Sequence, residues 1–199
     1  LLLMTVCMLI GVLPAMSVTA SAEDDHASHN ADYTIYWGIA TAGSDKVLHI
    51  AKTLTAVNGG KTCDVVAAVS ASTNQTTPDW SSYSGTITRV VVDNVVRPKL
   101  TEGWFKNCSQ VTSMDLAYLD TCCVTYTTSM FEGCSSLKSL VVSNFNTSNV
   151  KHMTSMFEGC SSLTSLDVSK FNTSNVTDIG WMFQGCSSLK TINLSAWNQ

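Results

Sequence analysis

Charge of either sign is scarce in this sequence. Lys, Arg, Asp and Glu together make up 13% of the 199 residues, against roughly 25% in an average soluble domain. The eleven basic residues are scattered singly and form no basic stripe, so nucleic-acid binding is not predicted. Three prolines are too few for a Pro-rich linker, and eight cysteines are too few for a small disulfide-built scaffold. The apolar share of 45% is sufficient for a packed core.

The sequence also has little that indicates catalysis or metal binding. Of its four histidines, His26 and His29 lie in an acidic N-terminal segment, and the chain has no Cys-x-x-Cys pair. A catalytic nucleophile needs a base held beside it. Cys63 and His49 could form such a pair, but neither residue lies in a known catalytic motif. We therefore predict no enzyme activity, no catalytic residue, no bound metal and no cofactor.

Residues 1–22 have the pattern of a secretory signal peptide. An apolar run over 1–13 is broken at Pro14 and followed by small residues that end in Ala-Ser-Ala, which matches an apolar core before an Ala-x-Ala cleavage site. The alternative is a membrane anchor, which needs about 20 uninterrupted apolar residues. We predict a signal peptide over 1–22, an acidic leader over 23–32, a secreted or cell-surface location, and no membrane span in the mature chain.

The second half of the chain is a sequence repeat. The motif Phe-x-Gly-Cys-Ser-Ser-Leu begins at Phe131, Phe157 and Phe183, and a degenerate copy begins at Phe105, so the period is 26 residues. Between 131–150 and 157–176 only three of twenty positions differ. This self-similarity predicts a stacked repeat array, which we assign to residues 101–199 and expect to be cut off inside its last copy.

Each repeat contains a leucine-rich-repeat strand signature and a stretch of helical spacing. Leu137-x-x-Leu140-x-Val142 matches the strand, and its period of two places Leu140 and Val142 on one face. The next apolar residues follow helical spacing, with a candidate N-cap before them and a candidate C-terminal glycine after them. These residues are Val150, Met153, Met156 and Phe157, with Thr147 or Ser148 as the cap and Gly133, Gly159 and Gly185 as the glycines.

Residues 33–100 lack the period and are rich in alternating, β-branched segments. Strands are predicted over 34–39, 46–50 and 86–92, with turns at 58–61 and 72–74. We interpret this part as a small mainly-β domain that covers the open edge of the first repeat. The predicted fold is therefore an α/β leucine-rich-repeat solenoid, with a parallel β-sheet and short helices, preceded by a small β capping domain.

One run of the repeat resembles a known family. MFEGCSSLTSLDVSKFNTSNVTDIGWMFQGC is similar to the repeats of BspA-like leucine-rich-repeat surface proteins, and the resemblance covers roughly residues 101–199. It implies a secreted or wall-displayed protein associated with adhesion to host proteins and other microbes, and it carries over no catalytic residue. The sequence departs from the pattern at Cys122 and Cys123, where later copies have Ser and Asn.

The remaining cysteines occupy two kinds of position. Cys108, Cys134, Cys160 and Cys186 recur at one repeat position. We favour a column of buried free thiols over a ladder of disulfides, because inward-pointing parallel side chains suit the disulfide torsion poorly. For Cys122, Cys123 and Cys63, a bridge within the first repeat or to the capping domain stays open.

The outward positions of the predicted sheet form the candidate binding face. The ligand is expected to be an extracellular protein or glycan, bound without catalysis. A surface of small polar residues lacks the usual Trp, Tyr and Arg anchors, so weak single-site binding raised by multivalent display is expected. The alternative is a structural spacer that displays another domain. The candidate residues are Ser113, Asp115, Ser139, Val141, Ser143, Ser165, Asp167, Ser169, Thr191, Asn193 and Ser195.

Overall fold

The computed structural model describes residues 34–51, 65–70, 79–194 and 197. The predicted signal peptide over 1–22 and the leader over 23–32 lie outside these residues, as do Cys63 and Ser195. Among the described residues, the search for a helix long and apolar enough to span a membrane finds none.

The strands form one mixed sheet of five members in the order β3-β1-β2-β4-β5. Strand β1 pairs antiparallel with β2 and β3, whereas β2 pairs parallel with β4, and β4 parallel with β5. A two-residue turn joins β1 to β2, and Gly43 in that turn has a φ of 65°, which favours glycine. The strands are β1 Thr34–Ala42, β2 Asp45–Ala51, β3 Val65–Ser70, β4 Arg89–Val92 and β5 Ser113–Asp115.

The inner face of the sheet begins the hydrophobic core. Alternate residues of β1 and β2, such as Trp37 and Leu48, are almost completely buried, as the period of two in a strand requires. Val90 and Val92 extend the same face into β4. This alternation of β-branched and aromatic residues explains why these segments form strands.

The repeats stack on one another in register. The amide of Phe131 donates to the carbonyl of Met156 at 2.9 Å, and the amide of Gly133 donates to that of Glu158 at 2.7 Å. One period later the bonds recur from Phe157 to Met182 and from Gly159 to Gln184. Every second amide of this segment therefore bonds to the next repeat, and the amides between them close tight turns within their own repeat.

The predicted α/β leucine-rich-repeat solenoid is wrong. The only helical segment among the described residues is the five-residue 3-10 helix Asp79–Tyr83, and the apolar stretch 150–157 forms an isolated bridge at His152 followed by turns from residue 154. An α-helix would need each of those amides for its own carbonyls, but alternate ones bond to the neighbouring repeat. Ser155 also has a φ of 56°, which a right-handed helix does not accommodate. The protein is mainly β, with one mixed sheet followed by stacked turns.

Beyond β5, which is the equivalent segment of the first repeat, the predicted strand of each later repeat is too short to continue the sheet. Leu140 and Val142 are buried and Val141 between them is 70% exposed, so the predicted alternation of faces is correct. Within the described residues, however, this part of the repeat forms only the isolated bridge between Ser139 and Ser165. Tight turns on both sides limit the extended backbone to a few residues.

A row of aromatic rings runs through the core from the sheet into the repeats. Phe131 and Phe157 stack with centroids 5.5 Å apart and planes 1° from parallel, and Phe157 and Phe183 are 5.7 Å apart at 2°. The row begins on Trp37, Trp80 and Trp104, which meet edge to face. Because β4 also pairs with β5, the two parts on either side of residue 100 share one sheet and one core.

Candidate binding face

The predicted face residues lie on one exposed side of the chain. Ser113 and Asp115 belong to β5, and the others follow at the repeat period. Ser169 is half-buried and Ser195 lies outside the described residues; the rest are exposed. Bonding between repeats supports the alignment of this face, since the amide of Thr164 donates to the carbonyl of Lys138 at 3.1 Å.

The two carboxylates at the centre of the face also stabilise the backbone beneath them. Asp115 Oδ1 accepts from the amide of Ala117 at 3.2 Å, and Asp167 Oδ1 accepts from the amide of Ser169 at 2.9 Å. Hydrogen bonds from Ser169 lower the pKa of Asp167, so this fully exposed carboxylate is ionised at neutral pH. Asp115 and Asp167 therefore place two carboxylates in the central row of the face.

The central row alternates in chemical character from repeat to repeat. It consists of Asp115, Val141, Asp167 and Asn193, with Ser and Thr hydroxyls on both sides. Val141 is 70% exposed, which makes it an apolar contact between two carboxylates. Such a surface can donate and accept hydrogen bonds and can bury one small apolar group.

A histidine–carboxylate pair borders this face and was missed by sequence reasoning. The sheet register aligns His49 with Val91 and Val91 with Asp115, so these residues point to the same side. His49 Nδ1 lies 2.9 Å from an oxygen of Asp93. Burial raises the pKa of Asp93, and Asp115 adds to this effect while His49 opposes it. The sequence shows His49 on a strand, but not that β2 and β4 are neighbours.

A second exposed strip lies along another side of the repeats. The parallel bridges Tyr126 to His152 and His152 to Asp178 align these residues, and the rings of Tyr126 and His152 stack at 4.9 Å and 6°. Hydrogen bonds, first from the amide of Gly180, lower the pKa of Asp178. His152 falls within the stretch 150–157 whose apolar spacing predicted a helix, and it lies instead at a bridge between repeats.

The cysteines at the repeated position are free thiols, as predicted, and do not form a ladder of disulfides. Cys134 and Cys160 are fully buried, and their Sγ atoms donate to the carbonyls of Phe105 and Phe131, both at 3.2 Å. Burial raises the pKa of Cys160 to about 12, so its reactive thiolate is suppressed. In the described part of the chain, groups of three or more His, Cys, Asp or Glu that could hold a metal ion are absent.

The repeats match a family model. Residues 100–199, half of the chain, match DUF285, which is described as a Mycoplasma protein of unknown function. The chain belongs to the DUF285 family. The DUF285 match covers the stacked turns and β5, and it does not identify a leucine-rich-repeat class. Searches of curated proteins and of solved structures find no match.

Proposed function

We propose that this DUF285 protein is a secreted or cell-surface protein that binds an extracellular protein or glycan without catalysis. The observation that carries the proposal is the exposed central row of Asp115, Val141, Asp167 and Asn193. Its residue type changes from repeat to repeat, whereas its buried neighbours Leu140 and Val142 stay apolar as Leu166 and Val168 one period later. Exposed positions that vary over an unchanged apolar scaffold are typical of a recognition surface.

The chemistry of the face favours hydrogen-bonded ligands held at several points. Serine and threonine hydroxyls, the two carboxylates and the Asn193 amide suit sugar hydroxyls or an exposed polypeptide backbone. Large anchors of the Trp or Arg kind are not among the predicted face residues, so each site contributes weakly. Display of many copies on a surface raises such binding through effective concentration.

The proposed location rests on the sequence and the family. The signal-peptide pattern over 1–22 supports export. Membership of DUF285 is compatible with a surface repeat protein, and the resemblance of residues 101–199 to BspA-like surface proteins supports the same assignment. Adhesion to host or microbial surfaces is the function that this resemblance implies.

The alternative function is a structural spacer. The stacked phenylalanine rings and the backbone bonds between repeats make an array that could hold another domain away from a surface. In that case the exposed row contacts no ligand, and its residues are free to change without effect on adhesion.

Variants that place positive charge on the face distinguish ligand binding from a spacer function. The double variant Val141→Lys/Thr191→Lys puts two lysines on exposed face positions. The matched control is Thr125→Lys/Thr177→Lys, which adds the same charge where the equivalent residues of other repeats are Lys99 and Lys151. Beads coated with each protein are measured for adhesion to matrix proteins and to a glycan array.

Binding through the face predicts that the Val141 and Thr191 variant loses about tenfold or more in apparent affinity, which corresponds to about 1.4 kcal/mol, while the control adheres like the parent protein. Equal adhesion of all three proteins would favour the spacer. Adhesion lost equally in both variants would indicate a general charge effect and would contradict a specific face.

A further inference from the structure

The first repeat carries two adjacent thiols that the later repeats lack. Cys122 and Cys123 stand where the next copy has Ser148 and Asn149. Their Sγ atoms lie 3.4 Å apart, and both residues are half-buried. The thiols of the repeated column differ in this respect, because those of Cys108, Cys134 and Cys160 are fully buried.

The backbone at Cys122 is held from both sides. Its amide donates to Asp120 Oδ1 at 3.0 Å, and Asp120 Oδ2 accepts from Arg97 Nε at 2.7 Å. Its carbonyl accepts from the side-chain amide of Asn149, in the next repeat, at 2.7 Å. The two thiols are thus presented together on a fixed turn that also bonds to the repeat stacked on it.

We propose that Cys122 and Cys123 are a reversible redox pair that closes to a disulfide between adjacent residues when a small-molecule disulfide is the oxidant. One protein thiolate attacks a sulfur of the small disulfide, forms a mixed disulfide and releases one small thiol. The other thiolate attacks the protein sulfur of that mixed disulfide and releases the second small thiol. The protein pair loses two electrons and two protons, and the oxidant gains them.

The surroundings of Cys122 suppress its thiolate. Burial, together with the neighbouring Cys123 and Asp120, raises the pKa of Cys122 to about 12, so its thiolate is rare at neutral pH. The thiolate is the attacking species in disulfide exchange. Exchange at Cys122 is therefore slow near neutral pH, and either cysteine can make the first attack while the other closes the ring.

The geometry of neighbouring residues makes this disulfide easy to reduce. Consecutive Cα atoms are about 3.8 Å apart, whereas disulfides usually join Cα atoms about 4.4–6.8 Å apart. Bonds outside the usual range are strained, and strained disulfides have more oxidising potentials. The pair is therefore suited to switching rather than to permanent cross-linking.

Closing the ring also affects the neighbouring repeat. The peptide between the two cysteines must reorient, and it includes the carbonyl that accepts from Asn149. The equivalent bond one repeat later joins Asn175 to the carbonyl of Ser148 at 2.7 Å, where Ser and Asn replace the cysteines. Oxidation should loosen the first of these two bonds and leave the second intact.

Mass spectrometry of the full chain tests the proposal. The protein is equilibrated with mixtures of reduced and oxidised glutathione, its remaining thiols are alkylated, and it is cleaved after Tyr118 and Tyr126. The released peptide 119–126 contains only these two cysteines. The expected oxidised peptide has lost two hydrogen atoms and carries no alkyl group, and it regains both thiols in excess reduced glutathione.

Variants distinguish the pair from two independent thiols. Cys122→Ser and Cys123→Ser should each give a peptide that keeps one glutathione, because the closing thiol is missing. The double variant Cys122→Ser/Cys123→Asn restores the sequence of the later repeats and should show no redox response. Hydrogen exchange of the oxidised parent should increase around 146–150 and stay unchanged around 172–176.

Three results would overturn the proposal. The first is a parent peptide that remains fully alkylated at every glutathione ratio. The second is a parent peptide that accumulates glutathione without closing. The third is a peptide that is cross-linked to another cysteine of the chain.

Discussion

Asp120 illustrates how one residue adapts the repeat to its place in the chain. Later copies have Asn146 and Asn172 at this position, and each accepts from the amide two residues ahead. Asp120 makes the same bond to Cys122 and adds an ion pair with Arg97 at 2.7 Å. The substitution therefore keeps the turn and adds a charge that pairs with Arg97 before the repeats.

The stability from this carboxylate should depend on pH. Burial by itself would raise the pKa of Asp120, but hydrogen bonds from Arg97 and Cys122 outweigh it and lower the pKa below its ordinary value of 3.8. A lowered folded-state pKa gives stability that is present above the ordinary pKa and is lost as the pH falls through the folded pKa.

We expect Asp120→Asn to lower the free energy of unfolding by about 1 kcal/mol at pH 7. Because Asn fills the same role in later repeats, the turn itself should survive. The difference between variant and parent should shrink towards zero below pH 3.8. Urea unfolding at several pH values measures it, and a difference that is independent of pH would contradict the assigned ion pair.

Each repeat is an element built from turns, and buried threonines bond these turns across repeats. The hydroxyl of Thr147 accepts from the amide of Asn172 at 2.7 Å and donates to its carbonyl at 3.1 Å. Thr121 makes the same two bonds to Asn146. The residue predicted as a helix cap therefore connects neighbouring repeats instead, because the carbonyl and amide it meets belong to the next copy.

We expect Thr147→Val to lower the free energy of unfolding, although threonine and valine have nearly the same shape. Thr147 is 2% exposed, and the loss of its hydroxyl leaves the amide of Asn172 without this acceptor, at a cost of about 1–3 kcal/mol. The matched control is Thr164→Val, whose exposed hydroxyl only donates to the carbonyl of Lys138. Chemical unfolding should place the control within about 0.5 kcal/mol of the parent, and equal effects would refute a bridging role.

The glycine of the repeat motif is required by backbone conformation and by stacking together. Gly133 has a φ of 74°, and a Cβ there would lie 2.6 Å from Asn107 Oδ1 and 3.3 Å from Asn107 Cα. Gly43 has a φ of 65° with open space around it. Substitution by Ala at Gly43 thus measures strain alone, and at Gly133 it measures strain plus a clash with the previous repeat.

We expect Gly43→Ala to lower the free energy of unfolding by about 1–2 kcal/mol. Gly133→Ala should lower it by about 1–3 kcal/mol more, because the added methyl group overpacks the contact with the previous repeat. Thermal or urea unfolding of both variants gives the comparison. A cost at Gly133 no larger than that at Gly43 would mean that the repeats are not packed as closely as the backbone distances indicate.

At the scale of the whole molecule, the sheet and the repeats are joined by hydrogen bonds and by aromatic packing. Strands β2, β4 and β5 pair in sequence across residue 100. Trp80 packs between Trp37 and Trp104 and donates its Nε1 hydrogen to the carbonyl of Trp104 at 2.6 Å. The first repeat is thus packed against the strands rather than tethered to them.

This junction predicts a single unfolding transition. A variant with Trp181→Phe and Trp197→Phe retains only the three tryptophans at the junction, so its fluorescence reports on that region. We expect its urea transition to coincide with the loss of far-ultraviolet circular dichroism, as two-state unfolding requires. A fluorescence change at clearly lower urea would indicate that the junction opens before the repeats do.

Part of the candidate face could be predicted from the sequence, and part of it could not. The outward positions follow from the alternation of Leu140, Val141 and Val142, which is local. The neighbouring pair of His49 and Asp93 could not be predicted, because it depends on β2 lying beside β4, and these strands are separated by about forty residues of intervening chain. The hydrogen bonds that Asp115 and Asp167 accept from the amides two residues ahead could not be predicted from the alternation pattern either.

The sequence by itself determined the repeat period, the buried and exposed positions, and the left-handed glycines Gly133, Gly159 and Gly185. All three depend on side-chain size, polarity and φ preference, which repeat with the sequence. Only the tertiary structure decided the backbone path, because apolar spacing alone fits both a helix and a series of tight turns. The choice depends on which carbonyl each amide meets, and here alternate amides of 127–133 and of 153–159 meet carbonyls supplied by the next repeat.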